Sequence, residues 1–171
     1  MRYTRENYIK WAAYGMLLLV LFLIETAYRF KLTVLGVRPD IIPFFIAALA
    51  LYEGPGCAAV IGFISGLLCD FVQPGLDGFL PLFYTAAGLG IGFVSEKYFR
   101  KNIFSALLLG ASASVLLNLL RFIFYYALLF NASVLTGVKI TFSELLLSLL
   151  FSPVVYYGVR LINRHFDDEE E

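Results

Sequence analysis

The chain has 171 residues, of which 60% are hydrophobic and 15% charged, and its mean hydropathy is +0.81. Soluble domains lie near about 45–50% apolar and about 25% charged, so a water-soluble core is excluded. Six bilayer crossings of about 20 residues each would use most of the length, leaving loops too short for an extramembrane catalytic domain. The formal net charge of zero supplies no basic surface for nucleic acid.

The N-terminal MRYTRENYIK is basic and precedes an apolar stretch from Trp11 to Ile24. Glu25-Thr26-Ala27 is a poor small-x-small cleavage site, so the first span is expected to stay as an anchor. Further apolar segments follow at Ile41–Tyr52, Gly56–Phe71, Phe79–Val94, Ser105–Phe130 and Phe142–Ile162. The segment at Ile41 rises only about 18 Å against a hydrocarbon core of about 30 Å. It is either re-entrant or borrows from Leu32–Val37.

Charge bias chooses between these. If every segment crosses and the N-terminus is inside, the inner side holds Arg2, Arg5, Lys10, Lys97, Arg100, Lys101, Arg160 and Arg164. The outer side then holds Arg29, Lys31, Arg38 and Lys139, a count of eight against four. Losing the Ile41 segment inverts the count. The positive-inside rule therefore predicts an all-α, six-transmembrane-helix bundle with both termini cytoplasmic. Residues 1–165 form a single transmembrane domain, and 166–171 an acidic, solvated tail.

Within spans, small residues at four-residue spacing mark helix contact faces. Ala58, Gly62, Gly66 and Asp70 make one such stripe, and Thr85, Gly88 and Gly92 a second. Ordinary bundle packing explains the glycines but not an acid ending the stripe. Ionisable groups in spans are costly and mark candidate sites. Arg121 lies past the middle of the Ser105–Phe130 segment, on a polar face with Ser114, Asn118 and Tyr125. Asp70 and Glu144 lie at the same predicted membrane level, with Ser148 and Ser152 below Glu144. An outer cluster of Asp70, Arg121, Asn118 and Glu144 is expected. Glu25 and Glu144 lie close enough to span ends to snorkel to interfacial water instead.

Arg38-Pro39-Asp40 has a local explanation. Pro39 biases its predecessor to extended geometry, Asp40 suits a helix N-cap, and Pro43 falls in the first turn. Glu53-Gly54-Pro55-Gly56 reads as a tight turn, and Pro153 as a kink in the last helix. Cys57 and Cys69, twelve residues apart on one helix, are too distant for a disulfide and read as packing residues.

Catalytic signatures are missing. The only histidine, His165, lies beyond the last span. There is no H-E-x-x-H, phosphate loop or G-x-S-x-G elbow, and Gly88-Leu89-Gly90-Ile91-Gly92 lacks a dinucleotide context. The sequence implies no metal, cofactor or enzymatic activity.

The run R-P-D-I-I (38–42), then G-F-I-S-G-L-L-C-D (62–70), then Gly78, Tyr84 and Gly88 and a basic loop, resembles the MreD family of bacterial rod shape-determining membrane proteins. Motif matches fall within residues 38–101. The first span and the last two match only in general character. Family motif positions map onto Pro39, Asp40, Gly62, Gly66 and Asp70. The resemblance implies a non-enzymatic scaffold of the cell-wall elongation machinery in the bacterial inner membrane. Its implied partner is the single-pass protein MreC, with a RodA-type peptidoglycan synthase and its transpeptidase, and MreB indirectly.

The layout is also similar to the six-helix substrate-binding S components of energy-coupling factor vitamin transporters. Against that alternative, the first span shows only Ala12, Ala13 and Gly15 where an Ala-x-x-x-Ala coupling face is expected, and the first outer loop is about ten residues. An ion-coupled carrier with an Asp70–Arg121 relay has no inverted repeat to support it.

Overall fold

The computed structural model of the protein describes residues 2–31, 39–72, 78–123 and 134–167, with side chains for 8–26, 39–72, 78–123 and 141–166. The described chain is all-helical. Its elements are α1 (Arg2–Lys31), α2 (Ile42–Val72), α3 (Phe79–Tyr98), α4 (Ile103–Arg121) and α5 (Val134–Asp167). Among the described residues, five helices are long and apolar enough to cross a membrane. Their outward faces carry large apolar side chains such as Phe71, Leu82, Phe104 and Leu161. Such continuous apolar exposure suits lipid rather than water.

α2 is not one rod. At Gly54 the backbone leaves helical geometry, with φ 82° and ψ −178°, a region open essentially to glycine alone. Pro55 follows, restricting Gly54 further and serving as a pre-shaped first residue of the next helix. The chain folds back here. A Cβ on Gly62 would lie 2.5 Å from the Tyr84 carbonyl, while the Tyr84 hydroxyl bonds Asp40. Asp40 is thus within one tyrosine's length of Gly62, whereas an unbroken helix would separate the two by about 33 Å. The turn read at residues 53–56 is therefore present. It divides α2 into a first arm ending at Glu53 and a second arm beginning at Pro55.

The first arm is the centre of the molecule. Ile41 to Leu51 are all buried, and α2 touches each of the other four helices. Its apolarity on every side is what an enclosed helix requires.

The second arm meets α3 through both predicted small-residue stripes. Gly62 lies against the Tyr84 backbone, Gly66 against Pro81, Gly88 against Ala58 and Gly92 against Pro55. At these four positions a Cβ would penetrate backbone, so the helices approach as closely as their main chains permit. Gly90, between them in sequence, faces open space, as helical periodicity demands.

α5 runs through Pro153 as a single element. Proline cannot donate to the carbonyl four residues earlier, and the Ser152 hydroxyl supplies that bond, reaching Leu149 O at 2.7 Å. The helix also extends past 165, into the segment read as a tail. Cys57 and Cys69 are free and share the second arm. Leu32–Val37, Tyr125 and the side chains of Arg2, Arg5, Arg29, Lys31, Arg38 and Lys139 lie outside the described residues.

Candidate functional site

Two polar clusters occupy opposite ends of the first arm. One surrounds Asp40. Its residue is 6% exposed, its amide donates to Ser148 Oγ at 2.7 Å, and Oδ1 accepts the Tyr84 hydroxyl at 3.3 Å. Ser148 in turn donates to the Glu144 carbonyl at 2.7 Å, tying α5 to the entry of α2. Arg121, the last residue of α4, lies in electrostatic range of Asp40, Tyr84, Glu144 and Glu25. Glu25 of α1 places its carboxylate against the Ile41 amide. Side chains from α1, α3, α5 and the residue before α2 thus lie in electrostatic range of one α4 guanidinium.

This differs from the expected cluster in three ways. Asp40, not Asp70, is the acid closest to Arg121 in electrostatic terms. Asp70 accepts instead from the Gly78 amide. It thereby ties the end of α2 to Gly78, which enters α3 at φ 83°. The four-residue spacing carries Asp70 to the end of the glycine stripe, and the acid there binds the residue that opens α3.

Second, Asp40 is not the N-cap of α2. The first turn closes on Ile41, whose carbonyl accepts from Phe44 N and Phe45 N at 3.1 and 3.2 Å. The local explanation of Arg38-Pro39-Asp40 therefore fails for Asp40, whose carboxylate turns to Tyr84 and Arg121. Third, Glu25 does not snorkel: its Oε2 is buried without a hydrogen-bond partner among the described residues. Helical backbone continues past Arg121 through residues 122–123, and residues 124–130 fall outside the described part.

Glu144 is in the cluster as expected. Asn118 is buried one turn before Arg121, and its Nδ2, with Asp40 Oδ2 and Ser114 Oγ, lacks a partner among the described residues.

The other end centres on Glu53, by sequence alone a turn residue. Its Oε1 receives Lys10 Nζ at 2.8 Å, the Tyr14 hydroxyl at 2.8 Å and Asn163 Nδ2 at 3.1 Å. One oxygen therefore ties α1 and α5 to the turn of α2. Beside it Tyr52 donates to Tyr156 at 2.8 Å, and Tyr156 to the Lys101 carbonyl at 3.3 Å. The available signal was Lys10 and Tyr14 at helical spacing on the face of α1 that turns inward.

The two ends are separated by about 18 Å of helix. In a bilayer of about 30 Å they cannot both lie at the water boundary. Glu53 lies beside the charged α3–α4 connection, and Asp40 and Arg121 lie at the far end of the first arm. There, each carboxylate depends on Arg121 and nearby hydroxyls for compensation.

Comparison with family models, with curated proteins and with solved structures gave no match.

Proposed function

We propose that this chain is a non-enzymatic, multi-span membrane scaffold of the bacterial cell-wall elongation machinery, of the MreD type, docking a single-pass MreC-like partner. In this reading each arm of α2 crosses as a separate span, giving six crossings. The Glu53 end and both termini are cytoplasmic, in keeping with the eight-against-four distribution of basic residues. A RodA-type synthase with its transpeptidase, and MreB indirectly, would join through the partner.

One observation carries the proposal. The residues behind the family resemblance are spread over 38–101, yet they pack into one connected unit. Tyr84 bonds Asp40 and abuts Gly62, Gly88 abuts Ala58, Gly66 abuts Pro81, and Asp70 holds Gly78. These matches describe a single structural device: a buried arm, a glycine-lined return helix and the helix it clasps.

The test is purification in mild detergent, followed by identification of what accompanies the chain. A single-pass coiled-coil protein supports the scaffold. A retained vitamin or a coupling ATPase would instead make the chain a transporter S component. Cysteine-accessibility labelling checks the topology separately: residues near 10 and 163 should react from the cytoplasmic side, and residues 73–77 from the other.

A further inference from the structure

A cavity of about 350 Å³ opens at the Glu53 end, where the turn of α2, the end of α3 and the α3–α4 connection meet. Its floor is apolar, with Ala50, Leu51 and Phe99. Its walls carry opposite charges. Glu96 lies over the turn, its Oε1 3.1 Å from where a Cβ on Gly54 would stand. Lys101 holds its ammonium 5.6 Å from the centre of the Tyr52 ring. Although both charges line the same cavity, they form no ion pair with each other, and Glu96 has no hydrogen bond or ion pair among the described residues. The third charge in the wall, Glu53, is already matched by Lys10.

We propose that this cavity binds the headgroup of a zwitterionic phospholipid bearing a primary ammonium, the ammonium donating to Glu96 and the phosphate accepting from Lys101. Three features favour this occupant. A separated acid and base are matched by one ligand carrying both signs, and a wall of mixed sign disfavours a purely anionic headgroup. The cavity lies at the end of the bundle where helix termini and the exposed charges Lys97, Arg100 and Lys101 gather, the level of headgroups in a bilayer. The outward face of α3 beside it carries exposed apolar side chains, Phe93 and Val94, against which acyl chains can lie. The inference needs only that the chain lies in a bilayer, and is independent of the scaffold reading.

The experiment is native mass spectrometry of the full chain in detergent, offered equal amounts of phosphatidylethanolamine, phosphatidylcholine and phosphatidylglycerol. Phosphatidylethanolamine should be retained most, because a quaternary ammonium has no N–H to give Glu96. Glu96→Gln and Lys101→Gln should each lower its retention by about fivefold or more, the scale of losing one charged hydrogen-bond partner. The exchange Glu96→Lys with Lys101→Glu should restore part of it. Equal retention of the three lipids, or unchanged retention by both single variants, overturns the proposal. Displacement of the lipid by millimolar phosphoethanolamine alone would also overturn it, moving the site from a lipid to a free zwitterion. Glu96 and Lys101 are exposed, so neither variant threatens the fold.

Discussion

Tyr84 and Asp40 stand 44 positions apart in the chain and 3.3 Å apart in space, and the same tyrosine presses its carbonyl against Gly62. One side chain therefore joins the entry of the central arm, the return arm and α3. Its ring fills space inside the bundle, while its hydroxyl answers part of a buried carboxylate. Removing that hydroxyl in Tyr84→Phe should cost about 1–2 kcal/mol, as for an unmet buried acceptor. The shift in thermal unfolding in detergent checks this.

The glycine contacts are the least forgiving part of the fold. Gly62→Ala places a methyl group against the Tyr84 backbone, which cannot rotate away as a side chain would. A loss of about 1–3 kcal/mol is expected, with more for Gly62→Leu or Gly66→Leu. Gly90→Ala meets nothing within 4 Å and should leave the melting temperature unchanged or slightly raised. If Gly62→Ala and Gly90→Ala melted alike, the close-contact argument would be lost.

Arg121 answers carboxylates contributed by α1, by α5 and by Asp40 at the entry of α2. Arg121→Leu should cost about 3–5 kcal/mol, because it strands charge in a low-dielectric interior. Adding Asp40→Asn to that variant should recover part of the loss, since the amide keeps the shape and removes one charge. Thermal stability of the single and double variants, compared with Asp40→Asn alone, measures the coupling. Wild-type melting by Arg121→Leu would falsify the buried-cluster assignment.

At the turn of α2, Gly54→Ala should destabilise by about 1–3 kcal/mol, the range for a residue forced into a glycine-only region. Gly56→Ala, two residues on, meets nothing within 4 Å and adds helix propensity, so it should be neutral or stabilising. Urea or thermal midpoints for the pair separate backbone strain from a general intolerance of the turn.

Glu53→Leu removes the acceptor shared by Lys10, Tyr14 and Asn163. The polar ends of α1 and α5 then lose their common anchor, at about 2–4 kcal/mol for a charged acceptor with several donors. The first consequence should be local: limited proteolysis near the start of α1 should quicken before global unfolding shifts.

Much of the architecture lies in local pattern. Apolar segments, the small-residue stripes at 58–66 and 85–92 and the breaker sequence at 53–56 are periodicities and composition within a dozen residues. Backbone sterics and the bilayer act on them directly. The meeting of the two stripes follows, since close approach is possible only where neither helix carries a Cβ.

Which charges meet depended on how those segments fold against each other. Asp70 ends a glycine stripe, yet the Gly78 amide, eight residues on, claims it. Asp40 had a sufficient local role as a helix cap, yet the return of the chain at Gly54 sets it before Tyr84 and Arg121. Glu53 finds Asn163 110 positions away. No window of sequence contains both members of such a pair. In a medium with so little water, each charge must be answered by whatever the neighbouring helices bring; only packing selects that neighbour.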